Sequence, residues 1–137
     1  MVLGAAAPAS TGGLDPALIL YPLAAQLALI GALYVWLTIA RFLAVQRGLH
    51  AYDDLAAGGG DVGLGARLAA NLRNQFELPV LFVIVLLVGW MRSDVALADL
   101  ALAWIFVAGR LAHSLVQTLT THVRLRGAVF SVNAIAL

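Results

Sequence analysis

Long apolar runs, interrupted by a few polar positions, dominate the pattern along this chain. Three of them, at residues 18–40, 68–90 and 95–119, are long enough to cross a bilayer. A bilayer core about 30 Å thick needs roughly 20 apolar residues in helical form. A fourth run, 127–137, covers only about half that thickness at roughly 1.5 Å per residue. The pattern predicts an all-α bundle of four transmembrane helices, the last of them short or truncated.

The segment between the first two runs, residues 42–65, has a different character. It contains Tyr52-Asp53-Asp54 and the run Gly58-Gly59-Gly60. Glycine runs favour loops, and these glycines neither follow a strand nor lead into the Gly-Lys-Ser/Thr signature of a phosphate-binding loop. We therefore expect a mobile loop, and a single transmembrane domain that covers residues 1–137.

Composition excludes several classes of protein. Hydrophobic residues make up 63% of the chain, charged residues 11%, and the mean hydropathy is +0.97, which excludes a soluble globular domain. The absence of cysteine excludes disulfides and thiolate metal ligands. The histidines lie at different depths without clustered carboxylates, so we expect no metal site. A net charge of +1 does not suggest a nucleic-acid partner.

The distribution of arginines predicts the orientation in the membrane. The first link and its borders hold Arg41, Arg47, Arg67 and Arg73, and the third link holds Arg124 and Arg126. The turn from Trp90 to Asp94 holds only Arg92. Because arginine-rich links stay in the cytoplasm, we expect the first and third links on the cytoplasmic side and the Trp90–Asp94 turn on the other.

Polar side chains recur at helical spacing within two of the apolar runs. The second run carries Asn71, Asn74 and Glu77 on one stripe, and the third carries Arg110, His113, Ser114, Gln117 and Thr121. A charge at the bilayer centre costs roughly 2.5–3.5 kcal/mol, and Glu77 and Arg110 each lie about 15 Å deep. We expect the two to lie within direct or water-mediated hydrogen-bond reach. Pro79 is expected to kink the second helix beside Glu77.

The polar stripes are compatible with more than one use. A Glu77–Arg110 pair either holds the helices in register or also lines a ligand pocket. His113 is more simply a hydrogen-bonded packing residue than a base. A non-catalytic lipid-binding or scaffolding protein is therefore the alternative to an enzyme. A proton-coupled exporter is disfavoured, since it needs an unpaired intramembrane carboxylate and here an arginine lies at the same depth.

Two motifs together resemble the MAPEG family, the membrane-associated proteins in eicosanoid and glutathione metabolism. They are Arg67-x6-Asn74-x2-Glu77-x-Pro79 and Gly109-Arg110-x2-His113, and the similarity covers residues 41–126. The resemblance implies four-helix subunits assembled as a homotrimer, with glutathione as co-substrate between subunits near the cytoplasmic face. The nearest likeness is a bacterial-type member similar to microsomal glutathione transferases, which implies the bacterial inner membrane.

The resemblance also implies roles for individual residues. The residues that resemble a glutathione site are Arg41, Arg73, Asn74, Glu77, Arg110 and His113, with Arg41 at the end of the first helix. Arg126 resembles the arginine that stabilises the glutathione thiolate, since a fixed positive charge near sulfur lowers the pKa of a thiol. The implied activity is that of a glutathione-dependent transferase or peroxidase acting on lipophilic electrophiles drawn from the membrane lipids.

Overall fold

The computed structural model describes residues 14–49, 51–56, 60–93 and 95–120. All regular secondary structure in these ranges is helical. Three helical segments are long and apolar enough to cross a membrane: Pro16–Gln46, Gly63–Arg92 and Leu97–Leu119. The predicted all-helical membrane class is thereby confirmed. The fourth run, 127–137, lies outside the described residues, as do Asp94, Thr121, Arg124 and Arg126.

The first span begins with a 3-10 turn, Pro16–Ile19, and continues as α1, Leu20–Gln46. Gly48 ends it with a positive φ of 67°, and the amides of Gly48 and Leu49 bond back to the carbonyls of Val45 and Ala44. This is the Schellman arrangement, which needs a left-handed residue that glycine supplies without strain. Because no earlier residue breaks the helix, Arg41 lies inside α1 rather than at its end.

The link after α1 is partly helical. A short helix, α2, covers Tyr52–Ala56, and α3 begins at Gly63. Asp61, just before α3, makes a two-pronged ion pair with Arg41, with both nitrogen–oxygen distances at 2.8 Å. This pair ties the start of the second span to the C-terminal part of α1. The segment 42–65 therefore contains more helix than its glycine-rich sequence predicts.

The second span is interrupted near its middle. It consists of α3, Gly63–Asn74, and α4, Leu78–Arg92. Glu77, with φ −101° and ψ −105°, lies outside helical geometry, and Pro79 is in the first turn of α4. Proline has no amide to continue the helical hydrogen bonds, and it is well suited to a first turn. The predicted kink beside Glu77 is thus present, as a full break in the helix.

The third span is α5, Leu97–Leu119, and it packs against α1 and α3. The described bundle has two apolar clusters. One cluster includes Phe82 of α4 stacked on Phe106 of α5, with ring centroids 4.1 Å apart. The other joins α1 to α3 through side chains that include Leu33 and Leu68. The α5 residues that follow the first cluster, from Arg110 to Thr118, contribute the buried polar groups described next.

Candidate functional site

A network of buried amides and hydroxyls joins α3 to α5. Asn71 donates from Nδ2 to the Ser114 carbonyl at 3.1 Å and to Thr118 Oγ1 at 3.0 Å. Gln75 donates from Nε2 to Asn71 Oδ1 at 3.2 Å and to Ser114 Oγ at 3.1 Å, and it accepts from Gln26 Nε2 at 3.0 Å. Positions four apart on a helix share a face, which brings these side chains together. We call Gln26, Asn71, Gln75, Ser114 and Thr118 the amide network.

A second set of contacts surrounds Asn74, the last residue of α3. Asn74 Nδ2 and His113 Nε2 both lie 2.9 Å from Gln117 Oε1. An amide oxygen only accepts, so His113 carries its proton on Nε2 in this arrangement. Arg110 donates from Nη2 to the Asn74 carbonyl at 3.0 Å. Of the predicted site residues, the structure thus brings together Asn74, Arg110 and His113.

Arg110 is completely buried. Its Nη2 atom is bonded to the Asn74 carbonyl, whereas its Nε and Nη1 atoms make no hydrogen bond within the described part of the chain. Buried N–H groups are nearly always paired in proteins, and these two donors are exceptions among the described residues. Arg110 therefore both contacts the backbone of α3 and places a positive charge next to Asn74.

The direct contact between Glu77 and Arg110 is not formed. No ion pair within 4.0 Å joins them, although the charge of Glu77 acts electrostatically on Arg110. The reason is the break in the second span, because Glu77 leaves the helical geometry that places Asn71 and Asn74 on the inner stripe. Glu77 is exposed at the surface of the described bundle. The water-mediated form of the contact stays a prediction.

Two charged side chains, one on each side of the half-buried Asn74, are exposed on the described part of the bundle. Arg73 and Glu77 are both exposed, near the middle of the 30-residue segment Gly63–Arg92. Charges at such a depth are costly in hydrocarbon, at roughly 2.5–3.5 kcal/mol each on insertion scales. A polar surrounding, either a ligand or another protein surface, would remove that cost.

Arg41 belongs to a separate neighbourhood. Both of its bonded nitrogens face Asp61, and no hydrogen bond or ion pair joins it to another predicted site residue within the described ranges. It also lines a cavity of about 350 Å³ between α1 and α2, together with Thr38, Phe42 and Tyr52. The proposed thiolate-stabilising residue, Arg126, lies outside the described residues.

Three members of the amide network were missed by sequence reasoning: Gln26, Gln75 and Thr118. Gln75 and Thr118 each follow a stripe residue by four positions, so the helical spacing could have identified them. Gln26 is an isolated amide within an apolar run, and a lone polar residue gives no periodicity. The structure shows that Gln26 is fully buried, and a buried amide requires hydrogen-bond partners.

Comparison with known proteins identifies the family. No curated protein and no solved structure matches the chain. A family model described as MAPEG family matches residues 19–137, which is most of the chain and includes both polar stripes. The chain belongs to the MAPEG family, as its two intramembrane motifs predict.

Proposed function

We propose that this protein is a membrane-bound, glutathione-dependent transferase or peroxidase that acts on lipophilic electrophiles. The observation that carries the proposal is the exposed pair of charges, Arg73 and Glu77, beside Asn74 at the break in the second span. Family membership supports the same reading. Charged side chains at mid-span are expensive unless they serve a polar function.

The chemistry of these side chains suits glutathione, which carries two carboxylates and one ammonium group. Glu77 is proposed to bind the ammonium group, and Arg73 a carboxylate. Guanidinium groups match carboxylates with two parallel hydrogen bonds. The positive charge of Arg110, which is bonded to the Asn74 carbonyl, favours an anionic ligand near Asn74. Asn74 and His113 are proposed to hold the site in shape, through their shared contact with Gln117.

Bound glutathione supplies a thiol as the nucleophile or reductant. In conjugation, the thiol gives its proton to solvent, the sulfur forms a bond to an electrophilic carbon, and a leaving group departs with its bonding electrons. Arg126 is proposed to favour the thiolate form, because a nearby cation lowers the pKa of a thiol. Arg41 is proposed to bind a second carboxylate after release from Asp61.

Assembly as a homotrimer is part of the proposal. Arg73 and Glu77 face outward from the described helices of one subunit, so a neighbouring subunit would complete the polar surrounding. We also propose location in a bacterial inner membrane, where lipophilic substrates enter from the surrounding lipid. No nucleic-acid partner is proposed.

A specific observation favours the alternative, a non-catalytic lipid-binding or scaffolding protein. The hydrogen bonds of the amide network lie within one subunit. Asn74 and His113 are likewise bonded to Gln117 of the same subunit. Most of the polar stripe therefore has a packing role whether or not a ligand binds. Unlike the main proposal, the alternative requires neither a glutathione site nor a reactive thiol.

The test is conjugation of glutathione to a chromogenic electrophile by the detergent-purified full chain. Arg126→Leu should reduce the rate at least about tenfold, which is roughly 1.4 kcal/mol in the barrier, while glutathione affinity stays within a few-fold. Arg124→Leu is the matched control, since it removes the same charge two positions away. An inactive wild type that is folded and membrane-integrated would favour the scaffolding alternative. Equal losses in both variants would instead exclude the specific role proposed for Arg126.

A further inference from the structure

A cavity lies at the opposite end of the second span from the loop 42–65. It has a volume of about 310 Å³, is open on one side, and is bordered by the 3-10 turn before α1, by α4 and by α5. Its apolar lining includes Ile19, Phe82, Leu86, Leu102 and Ala103, and its polar lining is Arg92 and Asp99. We call this cavity the α4–α5 groove. It shares no lining residue with the proposed glutathione site.

The dimensions of the groove match one leaflet of a membrane. Arg92 is the last residue of α4, and Phe82 lies ten positions earlier, or about 15 Å along the helix axis. Half of a bilayer core about 30 Å thick is the same length. With Arg92 at the level of the lipid headgroups, the groove would therefore extend to the region where acyl chains end.

The charges at the outer end are complementary to a headgroup with two opposite charges. Arg92 is exposed and forms no ion pair within the described ranges. Asp99 is also exposed, and its Oδ2 accepts the Ala96 amide at 2.8 Å at the start of α5. A phosphate beside Arg92 and an ammonium beside Asp99 would each meet an opposite charge. A headgroup with only a phosphate would bring a second negative charge to Asp99.

We propose that the α4–α5 groove binds one acyl chain of a zwitterionic, amine-bearing phospholipid, with its phosphate at Arg92 and its ammonium group at Asp99. The lipid comes from the leaflet opposite the cytoplasmic one. This proposal is independent of the glutathione chemistry, because it concerns other residues at the other end of the span.

A glycine in the lining provides a selective way to fill the groove. Gly89 lines it, and a Cβ built at this position meets no heavy atom within 4 Å. Gly89→Leu should therefore fit and occupy the space of the acyl chain. Gly31→Leu is the matched control, because Gly31 is an exposed helical glycine of α1 with equally open surroundings and does not line the groove.

The measurement is native mass spectrometry of the full chain with phosphatidylethanolamine or phosphatidylglycerol of the same acyl chains. Wild type and Gly31→Leu should retain phosphatidylethanolamine preferentially. Gly89→Leu should retain it at least about tenfold less, or roughly 1.4 kcal/mol. Arg92→Gln should weaken retention of both lipids, and Asp99→Asn, which keeps an oxygen for the Ala96 amide, should abolish the preference between them.

Two results would overturn the proposal. They are unchanged retention in Gly89→Leu and an equal loss in both glycine variants. Unchanged retention together with an altered oligomeric state of Gly89→Leu would instead identify the groove as a contact between copies of the chain.

Discussion

Arg110 donates a hydrogen bond of 3.0 Å to the backbone carbonyl of Asn74, the last residue of α3. The last carbonyls of a helix have no amide partner of their own helix, and a positive charge near them is favourable. Arg110 thus acts as a cap for α3 from the neighbouring helix α5. The contact stabilises the broken helix at the residue from which the proposed site extends.

Removal of this cap should destabilise the fold. Arg110→Met keeps the apolar part of the side chain but leaves the Asn74 carbonyl without its donor, for an expected loss of about 1.5–3 kcal/mol. Arg110→Lys, which keeps the charge, should recover part of the loss. Denaturation of the variants, each solubilised in a mild detergent, measures the loss of stability. Arg47→Met, at an exposed arginine just after α1, is the control. Equal stability of Arg110→Met and Arg47→Met would exclude a capping role.

The amide network should contribute to stability but not to thiol chemistry. Asn71→Leu leaves hydrogen-bonding groups of Gln75, Ser114 and Thr118 unpaired, and we expect a loss of about 1–3 kcal/mol. The rate of conjugation per folded molecule should stay within a few-fold of wild type. Gln46→Leu, at an exposed amide of α1, serves as the comparison. A large loss of rate in a fully stable Asn71→Leu would show instead that the network belongs to the site.

Asp61 competes with a ligand carboxylate for Arg41, if Arg41 has the role that the family resemblance implies. Asp61→Asn should therefore raise glutathione affinity several-fold, and Arg41→Gln should lower it. The Arg41 side chain is 46% exposed and that of Asp61 10%. An ion pair at the protein surface contributes only about 0–1 kcal/mol, so the fold should tolerate both changes. Asp53→Asn, at an exposed acid of α2, controls for the change in net charge. If affinity is the same in all three variants, Arg41 serves only to hold α3 to α1.

The arginine asymmetry predicts which ends of the spans face the cytoplasm. The chain has no cysteine, so Arg47→Cys and Leu97→Cys each introduce a single thiol at an exposed position. In intact cells, a membrane-impermeant thiol reagent should label position 97 and not position 47. Labelling of position 47 alone would reverse the predicted orientation.

Sequence pattern identifies the described spans and the place where the second one breaks, because apolar length and proline act locally. It also places Asn74, Arg110 and His113 on facing stripes. It does not find the partner of Arg110, since that partner is a backbone carbonyl, which side-chain spacing does not reveal. The expected direct contact with Glu77 assumes a continuous helix, whereas the break turns Glu77 out of the stripe. Gln26 escapes detection because its partner Gln75 is 49 positions away.

Isothermal titration of the detergent-purified full chain with glutathione tests the central claim most directly. Wild type should bind, and Arg73→Gln and Glu77→Gln should each weaken binding at least about tenfold, or roughly 1.4 kcal/mol. Arg47→Gln, which removes an exposed arginine just after α1, should bind as wild type does. A folded wild type that binds no glutathione, or binding that neither Arg73→Gln nor Glu77→Gln weakens, would contradict the proposed site.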